Sequence, residues 1–479
     1  MRQKNASILA LSPGARGAAF KTPPTPLSGL RGRSLTGLEP RDRTGNEALK
    51  KPSTPPPRFC RGCARTKRVS ETVHPTLQVL AQPAMRWFLA ARFSLMFGRS
   101  LVAATLSYHV FLVTDSYAAL GLLGLIEFLP VIPGSLLAGV VADRYDRKRI
   151  LIASASVSLL GTATLAYLTR SQADSMPSIL VLALLLALVM SFARPANSAL
   201  LPNLVPRPIF QNAAVLASST VQLAFISGPI AMGFLAGPWG LAGAYAVAVV
   251  FYGWALFFLW GLPRVTPSAQ PSPISWTAVR EGLVFVWRRQ PVLGAMTLDM
   301  LAVIFAGATA LLPVYAEEIL QVGPEGYGFL RSAIAIGAFS MAILLMVLRP
   351  FQKPGRVLLL AVWVFGFATI LFGVSRSLGL SVIALIAAGM ADQVSMTTRS
   401  VILQMSTPDA LRGRVNAVNF IFIGASNELG DAESGFLASL TSATFSVVAG
   451  GLACLGIVAG VSAGMPQLRQ YEPGRSDPP

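Results

Sequence analysis

From Met85 onward, apolar runs of roughly 20 residues, each long enough to cross a bilayer as a helix, alternate with short polar connections. The pattern predicts twelve membrane-spanning helices. They lie near 87–112 (α1), 117–139 (α2), 150–169 (α3), 177–198 (α4), 212–236 (α5), 240–262 (α6), 292–316 (α7), 327–348 (α8), 357–374 (α9), 378–398 (α10), 415–438 (α11) and 443–464 (α12). Residues 263–291 form the longest connection and divide the helices six to six. After a Pro- and Ser-rich start, this connection places Trp276, Val279, Leu283, Val286 and Trp287 at helical spacing, with Arg280, Arg288 and Arg289 around them. An amphipathic helix lying in the membrane interface is expected there.

Composition supports this reading. Of the 479 residues, 53% are hydrophobic and only 13% charged, whereas a soluble protein carries about 25% charged residues. The net charge of +18 does not indicate a nucleic-acid binder: residues 1–84 hold 15 basic and 4 acidic residues, which is +11 of it. That stretch is rich in Pro, Gly, Ser, Thr and Arg, without apolar periodicity, and is expected to be a disordered basic arm. The domain reading is therefore an arm over 1–84, a six-helix bundle over 85–262, a linker over 263–291, a second bundle over 292–468 and a tail over 469–479. The arm contains a lone Cys60-Arg-Gly-Cys63 with His74 nearby, and no second pair completes a zinc site. No metal, no cofactor and no nucleic acid is expected; the expected partners are a small molecule and membrane lipid, and the chain is expected to be a monomer.

Between α2 and α3, Gly139 to Ile150 reads G-V-V-A-D-R-Y-D-R-K-R-I, with Asp143, Arg144, Asp146, Arg147, Lys148 and Arg149 packed together. Such a run must be a hairpin outside the bilayer, and its basic excess places it on the cytoplasmic side. The opposite connections carry three basic residues, Arg170, Arg331 and Arg376, so both termini are expected in the cytoplasm. The halves repeat: Arg194 and Arg399 each end an even-numbered helix, and Asn212 and Asn416 open the next. Duplicated six-helix halves with a substrate path between them are a transporter architecture.

The loop pattern G-x-x-x-D-R-x-x-R-K-R resembles the α2–α3 signature of the major facilitator superfamily, although Asp146 stands where that family usually has Gly. The resemblance implies an all-α membrane fold of two pseudo-symmetric six-helix bundles, with α3, α6, α9 and α12 outermost. It also implies a latch that shuts the cytoplasmic side. Gly139 and Asp143 would meet the start of α11 at Arg412 or Arg414, with Arg144 and Arg147 orienting Asp143 and Asp146. In α5, Gly228, Pro229 and Gly233 resemble the G-P-x-x-G-G motif of proton-linked antiporters; Met232 replaces one glycine. The Arg194-Pro195-Ala196-Asn197 segment departs from the family's usual α4 arginine motif.

Ionisable residues at membrane depth are costly and point to function. The interiors of α3, α6, α9 and α12 hold none; the others hold Arg92, Arg99 and His109 (α1), Glu127 (α2), Asp299 (α7), Asp392 (α10), and Glu428, Asp431 and Glu433 (α11). Asp392 and Arg399 are about 10.5 Å apart along one helix face, so each needs a partner elsewhere. For Arg399 the candidates are Asp409 or helix-end carbonyls; for Asp392, Arg99 or Arg92. Gly424, Glu428, Asp431 and Gly435 recur at i, i+4, i+7 and i+11 and so form one stripe, from which Glu433 points away. Paired carboxyls away from water favour holding a proton, so Glu428 with Asp431 is the first candidate coupling site, and Glu127 and Asp299 the next.

The segments 411–419 and 424–435, with Ala391-Asp392-Gln393 and Thr407-Pro408-Asp409, resemble the enterobactin-exporter-like and macrolide-efflux branch of the major facilitators over about residues 85–468. The resemblance implies an inner-membrane secondary exporter driven by the proton gradient, working by alternating access. An importer of the same fold and a non-transporting receptor or scaffold are the alternatives. No G-x-x-x-x-G-K-[ST] loop is present, and no nucleophile or metal cluster points to an enzyme.

Overall fold

The computed structural model describes residues 75–130, 134, 145–263, 276–307, 309–348 and 351–472. Among these residues the chain is helical throughout, with no strand. Nine helices are long and apolar enough to cross a membrane, and they follow the expected order. Pro83–Thr114 is α1, Arg147–Arg170 α3, Met176–Leu200 α4, Gly323–Val347 α8, Pro354–Val374 α9, Leu378–Ser406 α10 and Ala443–Gly464 α12. Phe210–Trp260 takes the places of both α5 and α6. It bends at Gly240, whose φ of 66° a side chain would resist. Tyr117–Phe128 is the described part of α2, and Asp409–Leu440 is α11, which carries six charged residues.

Local chemistry fixes the helix ends. Asp146 caps α3 by accepting the Lys148 backbone N–H at 3.0 Å. The Ser175 and Ser178 side chains and backbones cap α4 reciprocally, and Ser442 accepts the Phe445 N–H at 3.1 Å to start α12. At the end of α6, the Lys148 ammonium donates to the Trp260 and Leu262 carbonyls at 2.9 and 2.5 Å, the favourable place for a cation. The helices expected to be outermost expose apolar side chains to the surroundings: Leu160, Phe257, Leu360 and Leu452, one on each of α3, α6, α9 and α12.

Two departures from expectation matter. Pro75–Ala81 is helical inside the stretch expected to be disordered, and it buries Val79 completely. The α7 span is broken. Its first part, Gln290–Ala306, ends at Gly307, and the chain resumes as short turns that close in the π-helical turn Tyr315–Ile319. The linker helix appears where its periodicity placed it, over Trp276–Arg288.

Candidate functional site

The two halves meet at the end away from the basic α2–α3 loop, and small residues make the contact possible. In α2 and α11, a Cβ built on Gly435 would sit 2.4 Å from the Gly121 backbone nitrogen. In α5 and α8, a Cβ on Gly328 would sit 2.6 Å from the Pro229 carbonyl, and one on Gly233 would sit 2.8 Å from the Pro324 carbonyl. Only glycine allows backbones this close. Hydrogen bonds reinforce the seal: Tyr327 donates to the Ala104 carbonyl at 3.0 Å and Ser332 to the Ile226 carbonyl at 2.8 Å. Two tyrosines of the first half, Tyr108 and Tyr117, donate to consecutive carboxylates of the second half, Glu317 and Glu318, on the π-helical turn.

Just inside that seal lies a group of carboxyls. Glu127 follows Gly121 by six residues and Glu428 precedes Gly435 by seven, so both lie roughly 9–10 Å deeper. The two helices run in opposite directions, and the Glu127 and Glu428 side chains come close enough across the halves to act on each other electrostatically. Both remain half-buried. Asp431, one turn toward the seal, is held differently. Its Oδ1 accepts from the Thr309 hydroxyl at 2.5 Å and the Ala310 backbone N–H at 3.1 Å. Those donors come from the break in α7, where irregular backbone frees an N–H to bind an acid. Positive charge surrounds the group: Arg99 and Arg194 act on Glu428, and Arg99 and Arg331 on Glu127. Arg331 is oriented by Tyr327, 2.9 Å away, and by Ser107 of the opposite half, 3.3 Å away.

Broken helices, glycine-tight seals and facing acids from two halves are the apparatus of a transporter, and the relatives agree. The transmembrane secretion effector profile matches residues 75–477. The chain belongs to this family of major facilitators. It is 27% identical over 397 residues to the enterobactin exporter EntS of Shigella boydii serotype 18, covering 83% of this chain and 94% of that relative. The EntS of Escherichia coli O1:K1 gives the same identity and coverage. Solved structures share the fold: the nucleoside transporter NupG, with a TM-score of 0.63 at 15% identity, covering 81% of this chain and 100% of that one. A bacterial homolog of the human lysosomal transporter Spinster gives 0.64 at 15%, covering 84% and 100%. The protein is thus a multi-pass membrane transporter with the all-α major facilitator fold.

In this secretion-effector protein the other predicted residues fall into separate places. Asp299 and Arg399 leave the central group and pair with each other, fully buried between α7 and α10, with Ser395 donating to the second Asp299 oxygen at 2.9 Å. The expected partner of Arg399, Asp409, pairs with Arg412 on the same exposed turn. Arg92 donates to Asn197 at 2.8 Å rather than to Asp392, and among the described residues Asp392 has no hydrogen-bond or ion-pair partner. Glu433 is half-buried and away from the stripe, as its helical angle requires. Of the predicted latch, Gly139, Asp143 and Arg144 lie outside the described residues. Asp146 serves as the α3 cap, and Arg414 pairs with Glu281 of the linker helix. Gly228 of the α5 motif packs on α1, where a Cβ would meet Ser100 at 2.7 Å.

Four residues at the central group and the seal were not among the candidates the sequence singles out. Arg331 was counted among the loop residues, whereas α8 begins at Gly323 and carries it in its third turn. Arg194, seen only as a repeat marker, reaches Glu428 of the other half. Glu317 and Glu318 stand at the outer end of a span, where acids are unremarkable in sequence, and no sequence signal marked them.

Proposed function

We propose that the protein exports a small molecule across the cytoplasmic membrane in exchange for protons, and that the proton is carried by the Glu127–Glu428 pair. The observation that supports this is the approach of two carboxyl groups from opposite halves, Glu127 and Glu428, directly beneath the seal. Two bare carboxylates repel at close range, and one proton shared between them removes that repulsion. For two like charges in contact, about 4 Å apart at an effective dielectric of about 20, that repulsion is on the order of 4 kcal/mol. Arg99, Arg194 and Arg331 offset part of that repulsion, and the fixed charge of Asp431 adds to it.

Coupling follows from where the pair sits. With the basic loop and both termini on the cytoplasmic side, the glycine seal faces outward and the described state is closed to the outside. An empty carrier that has released its cargo can close this seal only after a proton from outside joins the two carboxyls. Cargo entering from the cytoplasm then separates Glu127 from Glu428 and releases the proton inward. One proton moves in for each molecule moved out. The secretion-effector family and the two EntS relatives support export, with a siderophore, macrolide or similar drug as the cargo class.

The test is acid-interior uptake into everted membrane vesicles, with enterobactin, a macrolide and a lipophilic cation as probes. We expect uptake that collapses when the pH gradient is dissipated. Glu428→Gln, which holds the pair in its protonated form, should still equilibrate cargo downhill but accumulate none. Gradient-driven accumulation at the native level in that variant would place the proton elsewhere.

A further inference from the structure

The linker helix Trp276–Arg288 has two faces with different tasks. One is packed on the start of α11: Gly282 lies against the Arg414 carbonyl, where a Cβ would come within 2.9 Å, Val286 is buried, and Glu281 pairs with Arg414. The other face presents Leu283, Val284 and Trp287 together with Arg280 and Arg288. Trp287 is 74% exposed, and among the described residues neither Arg280 nor Arg288 has an acidic partner. A solvated surface gains nothing from an exposed tryptophan between arginines.

Chain continuity fixes where this face lies. The helix ends at Arg288 and the membrane-spanning α7 begins at Gln290, with only Arg289 between them. Trp287 is therefore within a turn of the bilayer boundary, at the depth where indole rings and guanidinium groups are favoured. We propose that this face binds anionic phospholipid headgroups. Leu283, Val284 and Trp287 enter the interfacial layer while Arg280 and Arg288 hold phosphate, each arginine enriching anionic lipid roughly fivefold. Through Glu281–Arg414 and the Gly282 contact, the same helix tethers the start of α11, the helix that carries Glu428, to the membrane surface. Transport is thereby linked to the anionic lipid content of the leaflet.

The lipid inference is independent of proton coupling, and its test requires no cargo. In protein with Cys60, Cys63 and Cys454 replaced by Ser, Leu283→Cys is labelled with an environment-sensitive fluorophore. The full chain is reconstituted in vesicles of equal phosphatidylcholine and phosphatidylglycerol, with one or the other lipid brominated. We expect quenching several-fold stronger by brominated phosphatidylglycerol, and loss of that preference in Arg280→Gln/Arg288→Gln, with the label still quenched by both lipids. Equal quenching by both lipids in the native arginine background, an unchanged preference in the double variant, or no quenching at all would each overturn the proposal. Both arginines are exposed, so the substitutions leave the packing intact. A second position, Val284→Cys, repeats the reading should the first label disturb the helix.

Discussion

The second half of the molecule contains two acidic sites of similar composition and opposite behaviour. Asp299 is buried between α7 and α10 with Arg399 and Ser395, all in one bundle. Glu428 is half-buried and reaches across to Glu127 of the other bundle. Charge at membrane depth is expensive in both places. In the first, every partner moves as one rigid body, so the ion pair is made once, on folding. In the second, the partners belong to different bundles, and on the proposed mechanism these separate in each cycle, so the interaction is remade every turnover. Burial alone does not separate structural from working charges; the allegiance of the partners does. Asp431 stands between the two cases, clamped by Thr309 and Ala310 of its own bundle but one turn from the moving pair.

That contrast predicts a ranking. Asp299→Ala leaves Arg399 buried and unpaired and should cost about 3–5 kcal/mol of stability, seen as a large drop in melting temperature and membrane yield. Replacing both members with apolar residues of similar volume should restore most of it. If the single variant melts like the native protein and loses only transport, the pair belongs to the working site. Glu428→Gln should reverse the pattern, with near-native melting and at least a tenfold loss of gradient-driven uptake.

Thr309→Val removes one hydrogen bond to the Asp431 carboxylate, worth roughly 1.5–3 kcal/mol, and frees that charge toward the pair. A partial loss of uptake, with its pH profile displaced from native, is expected; an unchanged profile would make Asp431 purely structural. The smallest effect belongs to the outer tyrosines. Tyr108→Phe with Tyr117→Phe removes two hydroxyls at the seal and should speed labelling of Ala104→Cys by an impermeant maleimide added from outside a few-fold. No change in labelling would show that the glycine contacts alone keep the seal closed.

The sequence made the architecture legible because bilayer thickness imposes run lengths and charge places the loops. The helix order and the linker helix follow from that. The α11 stripe was legible too, since Glu428 and Asp431 are fixed on one face by spacing alone. Partnering was not. Nothing in one chain's periodicity tells that Arg399 meets Asp299 rather than Asp409, because the choice depends on how α7 and α10 rotate against each other. The break in α7 was hidden for a related reason. Gly307 and Thr309 sit in an apolar run that reads as continuous helix, and only the Asp431 carboxylate waiting opposite makes the freed N–H of Ala310 affordable. Arg331 was counted with the outer connections although the expected α8 span, 327–348, already contained it.

The most direct test measures whether a proton closes the outer seal. Spin labels at Ser171→Cys and Leu440→Cys, exposed sites on the outer connections of opposite halves, report their separation in protein lacking the native cysteines. Because the closed state holds the extra proton, its share should grow as pH falls and shrink as pH rises. Glu428→Gln should show the short, closed separation at every pH. A Glu428→Gln variant that opens and closes with the native pH profile would contradict the assignment of the coupling proton to the Glu127–Glu428 pair.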